Sequence, residues 1–142
     1  MKFIFTILTV LLPVFSSASD IRTQELPIKK MQEQNKEITK LAALELSKSL
    51  PQTIDKRTQL IKIEAQDATL VYIYEIDATP KSDEIVKKED HGRMKKAVTT
   101  GVCRNSKRFL ESNIAIRYIY NSTHSKTELF RFDINNESCN NL

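Results

Sequence analysis

Two cysteines, Cys103 and Cys139, are the only ones in this chain of 142 residues, and they constrain its fold more than any other feature. The segment between them contains a short polar helix pattern at 106–111 and two alternating runs at 114–120 and 127–134. If the chain is exported, the pair indicates one structural disulfide, because thiols that enter an oxidising compartment tend to be paired. Two buried free thiols are the alternative. The disulfide would tie the end of a helix to the chain after the last strand.

The beginning of the chain carries the pattern of a secretory signal peptide. After the positive tip at Lys2, residues 3–15 form an apolar run that is too short to span a bilayer comfortably, and small residues follow. We expect cleavage after Ala18 or Ser19. A buried N-terminal helix is the alternative, but the polar residues from Asp20 onward interrupt the apolar pattern.

The predicted organisation is a signal peptide over residues 1–19 and a single α+β domain over residues 20–142. That length is typical of one domain with one core. No cysteine stands near the cleavage site to accept a lipid, so we expect a periplasmic protein with no stable membrane anchor after signal removal. The formal charge of +4, with two glycines and no tryptophan, gives no indication of a nucleic-acid partner.

The rest of the chain alternates between helix and strand patterns. Apolar positions recur at helical spacing over 28–50 and 82–102, and Gly92 is expected to kink or break the second helix. A turn is predicted at 51–56. Strict alternation predicts strands at 58–65, 70–76, 114–120 and 127–134. Because the strands are joined in two hairpins, we predict an antiparallel sheet of about four strands with the helices on one face and one disulfide, an α+β fold.

The first helix is expected to cover the sheet with its apolar positions. These positions are Met31, Ile38, Leu41, Ala42, Leu44 and Leu46. Lys, Gln and Glu occupy the remaining faces, so the pattern is that of an amphipathic helix. Swapping between copies of the chain, or binding a partner, is the alternative use of such a helix.

No catalytic or metal-binding constellation is evident. The two histidines, His91 and His124, have no partners at metal-ligand spacing, so we expect no metal and no cofactor. Glu89 and Asp90 beside His91 could form an acid-base cluster, but no nucleophile with a partner can be named, and adjacent helical residues point in different directions. We therefore predict that the protein is not an enzyme. A small hydrolase is the weakest alternative.

Two groups of residues are candidates for binding a partner. Four tyrosines lie on the predicted strands in matched two-residue steps: Tyr72, Tyr74, Tyr118 and Tyr120. If their strands pair, the rings form a ladder that either packs in the core or lines a groove for a peptide or helix of a partner. Arg104, Lys107 and Arg108 form a basic group that, with Phe109, could meet an acidic partner or anionic lipid. A solvated helix face is the plainer interpretation of that basic group.

Several short motifs resemble those of a group of small exported bacterial proteins, mostly uncharacterised. These motifs are a Leu-Pro followed by Asp and Thr, a Tyr-x-Tyr strand, a Val-Cys segment, an Ile-x-Tyr-x-Tyr strand and a late cysteine. The matching residues are Leu50-Pro51, Asp55, Thr58, Tyr72-Ile73-Tyr74, Val102-Cys103, Ile116-Arg117-Tyr118-Ile119-Tyr120 and Cys139. The resemblance spans nearly all of the mature chain and is specific for the fold.

The layout is also similar to that of the α+β pilotins of type II secretion, small disulfide-bonded proteins that bind a secretin helix and escort it to the outer membrane. Such pilotins are typically lipoproteins, whereas this sequence lacks the lipidation cysteine. The resemblance therefore implies a related protein-binding role, as an envelope assembly or secretion accessory factor. The binding surface would be the tyrosine face or the cleft between the sheet and the N-terminal helix. The alternative is a periplasmic inhibitor or immunity protein that acts against a toxin or lytic enzyme.

Overall fold

The computed structural model describes residues 27–140, so the predicted signal peptide lies outside the described residues. Three helices and five strands follow one another in this range, and a 3-10 turn at Glu137–Cys139 comes last. In chain order they are α1 (Ile28–Ser47), β1 (Gln52–Thr53), β2 (Thr58–Gln66), β3 (Thr69–Ile76), α2 (Asp83–Asn105), α3 (Lys107–Glu111), β4 (Ala115–Ser122) and β5 (Glu128–Ile134). Each predicted strand forms within two residues of its predicted limits.

The sheet has the strand order β1-β2-β3-β4-β5 and is mixed. β2 pairs antiparallel with β3, and β4 with β5, so both predicted hairpins form. β3 and β4 are parallel, so the prediction of a wholly antiparallel sheet is wrong. The physical reason is the connection: α2 and α3 cross over the sheet, and such a crossover returns the chain in its original direction. The fifth strand is β1, a short edge strand in the segment predicted to be a turn.

Both long helices pack on the same face of the sheet. α1 lies over β2 and β3, whereas α2 lies mainly over β5. The core between helices and sheet contains Leu70 and Ile116 of the central strands, Phe132 of β5, Ala43 of α1 and Val102 of α2. The predicted α+β class, with its helices on one face, is therefore observed.

α2 continues through Gly92, so the helix does not break at that residue. Ser82 caps the helix by accepting a hydrogen bond from the backbone N–H of Ile85. A helical glycine costs about 1 kcal/mol relative to alanine. Burial of Val98 and Val102 against the sheet offsets that cost, because each buried valine contributes roughly 1.5 kcal/mol or more.

α1 contacts the sheet through only part of the predicted apolar stripe. Its buried residues are Asn35, Thr39 and Ala43, while Leu41 and Leu44 are 66% and 67% exposed. The Asn35 side-chain amide donates a 2.7 Å hydrogen bond to the backbone carbonyl of Ser112. The expectation that the whole apolar stripe covers the sheet is thus wrong, because this polar contact lies on the side of α1 that meets the sheet.

The predicted disulfide between Cys103 and Cys139 is confirmed. It joins the last turns of α2 to the 3-10 turn after β5, with 5.6 Å between the Cα atoms. One flank of α2 is therefore fixed covalently to the chain that leaves the sheet at its β5 edge.

Candidate functional site

The candidate site is a concave surface along α2. Within the described residues α1 and α2 do not contact each other, so α2 has an open flank. Residues two positions apart in a helix point about 200° apart, which places Gly101 on the flank opposite Cys103. Because the disulfide holds the Cys103 flank at the β5 edge, Gly101 lies on the flank that faces the α1 side of the sheet.

The first hollow on this surface, which we call the apolar cleft, has a volume of about 680 Å³. It lies between α2 and the two chain segments that precede β2 and follow β3. Its apolar walls are formed mainly by Ile76, Ala78, Val86, Met94 and Phe130. The ends of two strands and the first half of α2 thus build an apolar hollow that is open to solvent.

Charged side chains surround the apolar cleft, and local bonds hold several of them in place. The backbone N–H of Arg57 donates to the Asp55 carboxylate at 2.7 Å and lowers the pKa of Asp55. The Arg93 guanidinium donates to Asp90 at 2.8 Å and lowers the pKa of that carboxyl group. The rim therefore presents charges of both signs around an apolar floor.

The second hollow, which we call the basic groove, continues along α2 and has a volume of about 540 Å³. Its lining residues are Arg93, Lys96, Ala97, Thr100, Gly101, Arg104 and Asn105. Arg93 also lines the apolar cleft, so the two hollows adjoin. From Val86 to Asn105 the helix rises about 28 Å. The site is thus a long surface rather than a single pocket.

The four tyrosines form the predicted ladder on the face that the helices cover. Tyr72 and Tyr118 are register partners across β3 and β4, as are Tyr74 and Tyr120. The ring centroids of Tyr72 and Tyr118 are 5.1 Å apart, and those of Tyr74 and Tyr120 are 4.7 Å apart. Burial raises the pKa of Tyr72 to about 12 and also raises the pKa values of Tyr74 and Tyr120.

The exposure of these rings differs. Tyr74 and Tyr120 belong to the buried core, whereas Tyr72 and Tyr118 are half-buried at its border. None of the four lines the apolar cleft or the basic groove. The ladder is therefore a feature of the packing, and its predicted role in partner binding stays a prediction.

The basic residues predicted from the sequence do lie at the concave surface. Arg104 lines the basic groove, and Arg108 lines a smaller hollow beside it, together with Lys107 and Phe109. The structure adds Arg93 and Lys96, which sequence reasoning missed because they lie earlier in α2, apart from the basic group at 104–108. Helical spacing between Arg93, Lys96 and Arg104 was the signal in the sequence that would have grouped them.

The histidines take part in no arrangement of catalytic type. The ring of His91 lies 5.5 Å from that of Phe132, while the neighbouring Glu89 pairs with Lys81 at 2.6 Å. His124 Nε2 lies 3.3 Å from Asp77. Among residues 27–140 no group of three or more His, Cys, Asp or Glu side chains is placed to hold a metal ion.

No helix in the described part of the chain combines the length and the apolar character that a membrane crossing needs.

Three solved structures share this fold. A crystal structure of a candidate secreted protein from Pseudomonas aeruginosa has a TM-score of 0.69 and 14% identity, and the match covers 77% of this chain and 96% of that one. The Vibrio vulnificus type 2 secretion pilotin EpsS has a TM-score of 0.66 and 12% identity, over 78% and 96% of the two chains. The Vibrio cholerae type II secretion pilotin AspS has a TM-score of 0.59 and 14% identity, over 79% and 98%. The predicted likeness to pilotins is confirmed at the level of the fold.

No curated protein matches the sequence. A family model does match, and it extends from the first half of α1 into β5, over residues 31–130. That span is well over half of the chain and contains most of α1, the β2–β3 hairpin, all of α2 and β4. The chain therefore belongs to the family described as a domain of unknown function, DUF8479.

Proposed function

We propose that this protein is an exported, non-enzymatic module that binds another protein of the bacterial envelope, as a pilotin-like secretion or assembly accessory factor. The observation that carries the proposal is the apolar cleft, left open beside α2 on a fold that type II secretion pilotins share. An open apolar hollow with a charged rim suits a partner's apolar side chain at the centre of an interface, with polar contacts around it.

The extent of the surface favours a polypeptide ligand over a small molecule. The apolar cleft alone has a volume within the range of small-molecule sites. It adjoins the basic groove through Arg93, however, and together they follow α2 for about 28 Å. A helix or extended segment of a partner can contact a surface of this length, whereas a small ligand would occupy only one hollow.

The two carboxylates beside His91, which the sequence suggests as an acid-base cluster, form ion pairs instead. Glu89 pairs with Lys81, and Asp90 pairs with Arg93, so their carboxylates are directed away from a shared reaction centre with His91. A binding function needs no such centre. This arrangement supports the assignment of a binding module.

Export to the periplasm is part of the proposal. It rests on the predicted signal peptide at residues 1–19 and on the disulfide between Cys103 and Cys139, since disulfides form and persist in oxidising compartments such as the bacterial periplasm. Protein recovered from the periplasmic fraction should begin at Ser19 or Asp20, and N-terminal sequencing checks this.

The test of the binding function compares two variants of the mature protein as bait in a periplasmic extract. Met94→Glu places a charge at the wall of the apolar cleft, whereas Ile85→Glu makes the same kind of change at an exposed position of α2 that does not line it. We expect wild type and Ile85→Glu to capture the same envelope protein in stoichiometric amounts, and Met94→Glu to lose it. Circular dichroism melting curves check that both variants are folded.

The identity of the captured protein tests the function further. A secretin or another assembly component supports the accessory role. Capture of a toxin or lytic enzyme would instead support the inhibitor or immunity function. Equal capture by Met94→Glu and wild type, or no capture by folded wild-type bait, would contradict binding at the apolar cleft.

A further inference from the structure

The positive charge of this protein is concentrated in one segment. Residues 94–111 contain five Lys and Arg residues and one acidic residue, Glu111. Residues 1–93 contain 14 basic and 14 acidic residues, and residues 112–142 contain 3 of each. The formal charge of +4 for the whole chain is therefore the charge of the second half of α2 together with α3.

Most of these cations form no ion pair within residues 27–140. In this segment only Lys107 pairs with an acidic residue, Glu111, at 3.6 Å. Favourable interaction with the helix dipole accounts for a cation in the last turn of α2, such as Arg104. It does not account for Lys96, which lies more than two turns before the end, because the effect falls off within one turn.

The short side chains in the basic groove leave room for a second helix. Lys96 and Arg104 flank a strip of short side chains, Ala97 and Thr100, with Gly101 beside them. A Cβ atom added at Gly101 would meet no other atom within 4 Å, so a second backbone has room to approach. Packed helices have their axes about 8–10 Å apart, and the distance depends on the side chains at the contact, so short side chains allow a close approach.

A membrane surface or a nucleic acid fits these observations less well. The exposed large apolar residues of the described chain all lie outside residues 94–111, so the segment offers none for insertion into a bilayer. It likewise offers no exposed aromatic ring for base stacking.

We infer that the basic groove receives an acidic amphipathic helix of the partner protein, whose carboxylates pair with Lys96 and Arg104 while its apolar residues reach toward the apolar cleft. The inference rests on the proposed function and specifies the chemistry of the partner. Complementary charges along the groove would steer association and fix the register of the helix. The interaction weakens as salt concentration rises, because exposed charges are screened.

The experiment uses the mature, oxidised protein and three synthetic helices of about 20 residues, a length of about 30 Å. All three carry the same leucine stripe, flanked by Glu, by Gln or by Lys. Fluorescence anisotropy measures their binding, and vesicles with and without phosphatidylglycerol are measured in parallel. We expect the Glu helix to bind at least about tenfold more tightly than the Gln helix at low salt, and the Lys helix not to bind.

Two matched pairs of variants locate the site. Lys96→Glu reverses a charge in the groove, and Lys88→Glu reverses one on an exposed turn of the same helix outside it. We expect a loss of at least about tenfold for the first and a change within about twofold for the second. Gly101→Phe fills the groove and should block binding, while Gly101→Ala adds only a methyl group in open space and should leave binding unchanged within about twofold.

The outcomes separate this inference from the proposed function. Equal binding of the Glu and Gln helices, or equal binding to Lys96→Glu and wild type, would overturn the acidic helix. Binding to phosphatidylglycerol vesicles that Lys96→Glu abolishes, without binding of the Glu helix, would replace it with a membrane surface. If Lys96→Glu still captures the native partner and Met94→Glu does not, the proposed function stands and the inference fails.

Discussion

The two long helices of this protein attach to the sheet by different means. α2 buries Val86, Val98 and Val102 and is tied by a disulfide to the end of the sheet domain. α1 buries Asn35, Thr39 and Ala43, and no disulfide joins it to the rest of the described chain. The helix with the more regular apolar pattern thus makes the more polar contact with the sheet.

This difference shows what periodicity can and cannot decide. Apolar residues at helical spacing predict a helix, but the face that packs is chosen by the complete set of contacts it makes. In α1 the Asn35 amide meets the Ser112 carbonyl, and Ser47 donates its hydroxyl to the carbonyl of Ile63 at 3.0 Å. These two bonds fix the rotation of α1 about its axis and leave Leu41 at the surface.

The largest effect is expected from loss of the disulfide, which only α2 possesses. Cys139→Ser opens a loop that spans 36 residues, so chain entropy predicts a loss of roughly 3.5 to 4 kcal/mol in the free energy of unfolding. Urea denaturation measures it, and hydrogen exchange should show more loss of protection in α2 than in α1. Wild type in reducing agent is the control and should behave like the variant. An unchanged denaturation midpoint would contradict a stabilising role for the disulfide.

The next largest effect is expected from the apolar core under α2. The Val102 side chain is 2% exposed, and Val102→Ala removes two buried methyl groups and leaves a small cavity, a loss of about 2 kcal/mol. Leu41→Ala on α1 is the matched control, because it removes more apolar volume from an exposed site. If both variants lose the same free energy of unfolding in urea denaturation, the apolar contact of α2 with the core is no more important for stability than the exposed side of α1.

A smaller effect is expected from the polar contact of α1. Asn35 is 6% exposed, and Asn35→Ala leaves the Ser112 carbonyl without its side-chain donor, at a cost of about 1 to 2 kcal/mol. The higher helix propensity of alanine returns roughly half a kilocalorie per mole, so the net loss is about 1 kcal/mol. Gln34→Ala, one residue earlier and exposed, is the control and should not destabilise. Equal urea midpoints for Asn35→Ala and wild type would show that this hydrogen bond does not determine how α1 packs.

The sequence predicts the elements of this fold better than their arrangement. Alternation located β2, β3, β4 and β5, because a half-buried strand must alternate. It left the direction of β4 relative to β3 undetermined, since Tyr72 and Tyr118 share one face whichever way the strands run. The pairing of Cys103 with Cys139 followed from there being two cysteines. The basic groove was out of reach, because it depends on which face of α2 packs on the sheet and which face is left to solvent.

The smallest effect is expected on the outer side of α1. Leu41 and Leu44 are 66% and 67% exposed, so Leu41→Lys and Leu44→Lys should each change the free energy of unfolding by no more than about 0.5 kcal/mol. If the predicted apolar stripe covered the sheet instead, each change would bury a lysine charge and cost several kilocalories per mole. Urea denaturation of the two variants therefore distinguishes the two orientations of α1 directly. A large loss in the free energy of unfolding would support the orientation predicted from the sequence. No loss would mean that folding does not depend on these two leucines.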